Sequence, residues 1–219
     1  MLHASRTPND AFIGAKIPCS VYLVQGKPVI QENNKCGFRT LKILKEIPQE
    51  ELNALFGWKY IEACNPLHPF KITAPPKITN EHIKLLKCWD SVGASVGDSV
   101  RDSVEVSVSA STWDSIWASV WDPVRASIWA SVEASIWASV RHSVWASVEA
   151  SVDAYIGSLF PNITEWKYVP KSDGYPFQAS VDLWRLGLVP SYDKTTWRLH
   201  AGPNAKIVYT ISKEELLKT

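Results

Sequence analysis

A period-4 array of apolar and polar positions sits between two segments of ordinary patterning. It runs from Asp90 to Asp153 as sixteen consecutive four-residue units of the form small-Ser-Val-variable. The second position is Ser in fifteen units and Pro123 in one; the third is Val or Ile in fifteen and Thr112 in one. The first is mostly Ala or Asp. The fourth varies and holds six of the eleven tryptophans: Trp113, Trp117, Trp121, Trp129, Trp137 and Trp145.

Ahead of the array, residues 1–16 read as a loose lead-in. Ser20–Val24 and Pro28–Ile30 are short β-rich runs around a turn at Gln25-Gly26-Lys27, which predicts a hairpin. Asn33-Asn34-Lys35 is a loop, and Phe38–Leu44 is too short to assign to strand or helix. Pro48 followed by Gln-Glu-Glu opens a helix, because Pro suits the first turn and acids suit its positive end. Leu52, Leu55, Phe56, Tyr60 and Ile61 share one broad face, so this helix is expected to reach Ala63. The proline-rich stretch from Asn65 to Pro76 is a connector. Thr79-Asn80-Glu81 caps a further helix that carries Ile83, Leu85, Leu86 and Trp89 into the array without a break.

Beyond the array, Tyr155, Ile156, Leu159 and Phe160 continue the helical spacing of Val148 and Val152 until Pro161. Residues 161–176 form a loop. Phe177–Leu186 is a short helix ended by Gly187. Thr196–His200 and Lys206–Thr210 flank a turn at Ala201–Asn204 and predict a hairpin, and the tail is a polar helical end.

The array admits three readings. As a helix, each unit advances about 400°, so every column drifts about 40° per unit. The Val and variable columns lie side by side, opposite Ala/Asp and Ser, and the apolar stripe winds right-handedly. Both flanks are helical in the same phase, and Asp122-Pro123 suits a helix start. Ser and Val each cost about 0.5 kcal/mol against Ala, so such a helix needs packing. As a β-solenoid, Ala and Val would point inward and Ser and the variable residue outward. The Ala-Ser-Val core of each unit loosely resembles the pentapeptide-repeat family. That resemblance implies a square right-handed β-helix, a fold in which some members mimic DNA. It covers the array alone, and each unit is one residue short at the corner. Five Asp and His142 would also face inward, which is costly. Trp recurs every eight residues at 113, 121, 129, 137 and 145, which a sixteen-residue coil would stack but which duplication of an eight-residue unit also explains. Disorder is disfavoured by the density of Val, Ile and Trp. The array is also similar to tetrapeptide arrays of uncharacterised microbial and viral proteins, a resemblance that implies no activity.

Charge separates the parts. Residues 1–89 carry twelve Lys/Arg against seven Asp/Glu, residues 90–156 three against nine, and residues 157–219 eight against six. A positive arm and a mildly acidic array can attract each other. The array is no general nucleic-acid binder, because phosphate contacts need basic residues. The start, MLHASRTPND, lacks a charged-then-apolar leader, and no apolar run reaches the roughly 18 residues of a membrane span. The expected compartment is the cytoplasm, with Cys19, Cys36, Cys64 and Cys88 reduced. Asn162-Ile-Thr164 fits a glycosylation sequon, which carries no weight without secretion.

Candidate chemistry is sparse. Cys64, His68, His82 and Cys88 are acceptable zinc ligand types, but their spacing lacks a Cys-x-x-Cys knuckle, so isolated core and surface roles are preferred. No G-x-S-x-G, P-loop or dinucleotide fingerprint occurs. The array serines repeat too regularly to mark a nucleophile. Trp197, Arg198 and His200 could line a pocket with Arg198 as an anion contact, but a solvated strand face is the stronger expectation. No catalytic residue, metal or cofactor is assigned. The Trp row is either a sticky platform or an internal core where two halves of the array pack together.

The expected fold is α+β: an N-terminal hairpin-plus-helix segment (1–78), a mostly helical array (79–160) and a C-terminal helix-plus-hairpin segment (161–219), with a β-solenoid as the alternative. The expected function is structural or interactive, with the Trp/Val-rich array mediating self-association or binding a protein partner. An acidic, DNA-mimic-like binding module is the alternative and an enzyme comes third. No membrane association is expected.

Overall fold

The computed structural model describes residues 1–12, 17–32, 35–92, 96–107, 113, 114, 116–118, 122, 126 and 143–219. The fold is mixed α+β. Its described strands are β1 (Leu2–Ser5), β2 (Tyr22–Gln25), β3 (Pro28–Gln31), β4 (Lys35–Phe38), β5 (Lys42–Glu46), β6 (Val189–Tyr192), β7 (Thr196–Ala201) and β8 (Lys206–Ser212). Its described helices are α1 (Gln49–Phe56), α2 (Tyr60–Cys64), α3 (Asn80–Val92), α4 (Val96–Ser107), α5 (Ser143–Gly157), α6 (Gln178–Arg185) and α7 (Lys213–Lys218). The strands form three antiparallel sheets, β1-β4-β3, β2-β5 and β6-β7-β8. No solenoid coil occurs among the described residues.

The N-terminal strands correct the expected hairpin. β2 and β3 do not pair with each other: β2 pairs with β5 and β3 with β4. The two arms, 22–31 and 35–46, instead flank residues 32–35, where the Glu32 N–H donates to the Lys35 carbonyl (2.9 Å). The arms bend together at Gly26, where a Cβ would lie 2.9 Å from both the Thr40 oxygen and Leu41 Cδ2. A side chain there would force the arms apart, so the glycine marks a close approach rather than a tight turn. The loose lead-in is corrected too, because Leu2–Ser5 forms β1 on β4 and Asn9–Phe12 is a 3-10 turn.

The expected helix from Pro48 to Ala63 is two helices. Gly57 takes φ 75°, a left-handed geometry that ends α1, and its N–H donates to Asn53 O (3.0 Å). The chain then restarts as α2, whose Tyr60 hydroxyl donates to Cys19 O (3.0 Å) and accepts from Cys19 N–H (2.8 Å). These bonds and the buried Leu52, Phe56 and Trp58 fix the N-terminal sheets to the core. Burial pushes the Tyr60 hydroxyl up, so it remains a donor.

Thr79 and His82 begin α3: the Thr79 N–H donates to His82 Nδ1 (3.0 Å). The imidazole thus occupies the place that Glu takes in a capping box. At the other end of the chain, Ser212 and Glu215 form the usual capping box of α7. The C-terminal hairpin is present as β7 and β8, and β6 adds a third strand that the pattern does not announce.

One hydrophobic cluster joins all three segments. It includes Leu52 and Trp58 from the first, Val100, Val148 and Tyr155 from the second, and Trp184 and Leu199 from the third. The Tyr155 and Trp184 rings stack at 5.4 Å. At the end of α5, Tyr175 donates to Ala154 O (2.6 Å) and its hydroxyl lies where a Cβ on Gly157 would point. Val100 Cγ2 is the next neighbour, at 3.0 Å. Gly157→Ala is therefore expected to cost about 1–3 kcal/mol by overpacking. Tyr175→Phe removes the obstructing oxygen, so most of that cost should vanish in the double variant. Urea denaturation of all four proteins checks this, and strict additivity would show that the two residues do not collide.

Candidate interaction surface

The described ends of the array are helical, and their buried face differs from the expected one. In α4, Val96, Val100 and Val104 are buried together with Ser99 and Ser103, whereas Arg101 and Glu105 of the variable column are exposed. In α4 the Ser column, not the variable column, is the inward neighbour of Val, whereas Trp113 and Asp153 of the variable column are buried further along the array. Two causes combine. Ser is small enough to let helices approach, and Arg101 and Glu105 would lose their hydration inside. α4 packs against α5, where Val148, Ser151 and Val152 are buried. One stretch of the repeat therefore packs on another through the same two columns.

Several array serines have partners to hand, although the buried Ser99 hydroxyl has none among the described residues. Ser107 and Ser151 donate to the carbonyls four residues earlier, Ser103 O (2.7 Å) and Ser147 O (3.1 Å). Ser103 Oγ accepts from Lys167 N–H (2.9 Å), and Ser147 Oγ accepts from Tyr192 N–H (2.9 Å). Lys167 lies in the loop after the array and Tyr192 ends edge strand β6. Array hydroxyls thus satisfy backbone donors of the C-terminal segment that a helix or sheet ladder does not reach.

Array acids are used in the same way. Asp90 Oδ1 accepts from Trp197 Nε1 (2.9 Å) and pairs with Lys213 Nζ (2.9 Å). Its hydrogen bond to Lys213 holds the ammonium above its usual range. Asp102 accepts from the Tyr168 hydroxyl (2.8 Å) and pairs with Lys167 (3.6 Å). These contacts turn part of the array's negative charge toward its own C-terminal segment.

Of the six repeat tryptophans, Trp113 is buried and Trp117 half-buried, with their rings edge to face at 5.6 Å. Ile116 between them is also buried. Trp121, Trp129 and Trp137 lie outside the described residues. Trp145 falls in α5, but its side chain is likewise outside what is described.

On the C-terminal sheet, Trp197, Arg198 and His200 do not line a common pocket. Trp197 stacks on Tyr192 (4.7 Å) and bonds to Asp90. Arg198 is committed to Asp193 (2.6 Å). Partial burial opposes ionisation of Asp193, yet Thr195, Arg198 and two backbone N–H groups bring its carboxyl down to about 2. His200 is buried, with Nε2 2.7 Å from Ser191 Oγ and Nδ1 3.0 Å from Ala205 O. A carbonyl only accepts, so Nδ1 carries the proton and Nε2 accepts from Ser191. The spacing is that of a nucleophile and its base. Both residues are 0% exposed, however, and the third partner is a backbone carbonyl. The pair bridges β6, β7 and the turn at Ala205, whose φ of 46° it helps to hold. The sequence pointed to His200 but not to Ser191, because β6 was missed.

Cys64, His68, His82 and Cys88 are not gathered. No group of three or more His, Cys, Asp or Glu capable of holding a metal occurs among the described residues. His82 begins α3, Cys88 is exposed, and the four cysteines are free. Burial raises the Cys64 thiol, and the Tyr60 hydroxyl partly offsets this. No helix among the described residues is long and apolar enough to cross a membrane.

The sequence also did not foresee the surface of the N-terminal sheets. Leu23, Val29, Ile30, Ile43 and Leu44 are exposed there, interspersed with Lys27, Lys42 and Lys45. A groove of about 520 Å³ runs between β1 and β2, and a second cavity of about 550 Å³ adjoins it by Pro18, Glu46 and Pro48. Comparison with protein-family models, curated proteins and solved structures finds no match for this chain.

Proposed function

We propose that this is a structural or interaction protein whose repeat array mediates self-association or binds a protein partner. The observation that carries the reading is the packing of the repeat on itself. α4 comes from the first units and α5 from the last, and they meet through buried Val and Ser columns. A face that accepts another stretch of the same repeat within one chain can accept one from a second chain by the same geometry, including by exchange of array halves. Trp121, Trp129, Trp137 and Trp145 are the proposed contact residues, since aromatics dominate interface energetics. The setting consistent with this reading is the cytoplasm.

Sedimentation of the full chain over about a hundredfold range of concentration tests the reading. The mass is expected to rise with concentration, and Trp emission to move to shorter wavelength as rings are buried. A single monomeric species throughout, with emission unchanged, would remove self-association.

A further inference from the structure

Two open strand edges share one groove. Among the described residues β1 pairs only with β4, and β2 only with β5. His3, Ala4 and Ser5 of β1 and Tyr22, Leu23 and Val24 of β2 line the same groove. The Val21 carbonyl accepts from Ile47 N–H (2.8 Å), so Val21 directs its amide groups toward β5. Tyr22, one residue on, directs its own to the open edge.

The lining also has a chemical bias. Among the described residues that line it, the charged side chains are Arg6 and Lys35 and none is a carboxylate. Arg6 bonds to a neutral amide, Gln31 Oε1 (2.6 Å), so its charge is not cancelled by that contact. The Asp10 carboxylate is outside the lining but accepts from Thr7 (2.6 Å), which lines the groove. Leu41 and Leu55 supply apolar surface.

We propose that this groove takes an extended segment of a partner protein in which acidic and aliphatic residues alternate, added as a strand between β1 and β2. Main-chain hydrogen bonds to the two edges hold the segment, carboxylates face Arg6, and aliphatic side chains meet Leu41 and Leu55. Each edge strand has four residues, about 13 Å of extended chain, so the bound segment spans roughly four to five residues. Occupancy would join the sheets in the order β3-β4-β1-segment-β2-β5. The site is separate from the array, so its failure leaves the self-association reading intact.

The probe is a fluorescein-labelled peptide, Glu-Val-Glu-Val-Glu-Val, titrated into the full chain and followed by anisotropy. The same peptide N-methylated at alternate residues, and Lys-Val-Lys-Val-Lys-Val, are the comparators. The acidic peptide is expected to bind about tenfold or more tightly than either. Arg6→Glu should weaken it several-fold. Hydrogen exchange of the complex should slow at residues 2–5 and 22–25. Equal binding of the N-methylated peptide would overturn strand addition, because that probe lacks the backbone donors toward one of the two edges. Equal binding of the lysine peptide would overturn the acidic preference. Protection at another sheet edge, such as β3, β5 or β8, would place the site elsewhere. Absence of binding at about millimolar peptide would overturn the proposal outright.

Discussion

Val100→Asp is expected to leave no cooperatively folded protein, while Val106→Asp on the same helix should fold as the parent does. Both change one array valine to the acid that the array itself uses at other positions. Val100 is 0% exposed and packs in the core between α4 and α5, whereas Val106 is 74% exposed. A carboxylate at Val100 loses its hydration, and the nearby Asp153 adds a like charge. Gly97, one turn before Val100, is the residue whose Cβ would meet Asp153 Oδ2. An uncompensated buried charge costs several kcal/mol, a large part of the roughly 5–15 kcal/mol that holds a domain together. At Val106 the carboxylate stays in water, and a surface change of this kind shifts stability by about 0.5 kcal/mol or less. Urea denaturation followed by far-UV circular dichroism distinguishes the two. Equal stability of the variants would mean that the repeat does not pack on itself, and the proposed function would lose its basis.

His200→Ala is expected to cost about 3–5 kcal/mol, because it opens a cavity and strands two buried partners at once. Ser191 loses its acceptor and the Ala205 carbonyl its donor. The parent should also become less stable as pH falls below about 6.5. Burial lowers the His200 pKa; the Ala205 carbonyl opposes this, and the Arg198 charge adds to it. The unfolded chain then binds its proton at a higher pH than the folded chain does. Stability is full above the unfolded value of about 6.5 and declines as pH drops toward the folded value. His68, lowered by burial and by Lys71, adds a slope of the same sign. His200→Gln should therefore flatten the pH dependence by up to about 1.4 kcal/mol per pH unit, one proton's share, and changing His68 as well should flatten it further. The readout is the midpoint of urea unfolding between about pH 5 and 8. An unchanged slope in His200→Gln would show that His200 is not held neutral in the fold.

The fold was legible where neighbours in sequence decide it. Gly187 takes φ 72° at the expected end of α6, and the acids and serine of the tail cap α7 as their spacing implies. β7 and β8 pair across their turn as their composition suggests. Gly57 was the legible signal left unused: a glycine inside an apolar helical pattern can be its end, and here it divides one expected helix into α1 and α2. β6 was hidden by Pro190, which argues against a central strand but is tolerated at an edge, where β6 lies. The candidate site was less legible. The Trp row could be read from spacing alone, but the burial of Trp113 could not. Nor could the groove, whose walls come from strands about twenty residues apart.

The sequence by itself determined the local conformations: helical array ends, the caps, and the turns where glycine or proline leaves few alternatives. These depend on side chains within about one turn of each other, so period and composition suffice to specify them. Only the tertiary structure decided which strand β2 would choose, which column would join Val in the core, and which residue would meet His200. Val has Ser on one side and the variable residue on the other, and both faces are compatible with a period of four. Close packing against α5, the hydration of Arg101 and Glu105, and the backbone donors of Lys167 and Tyr192 select the serine face. Those determinants lie up to 64 residues away along the chain, beyond the reach of any local pattern.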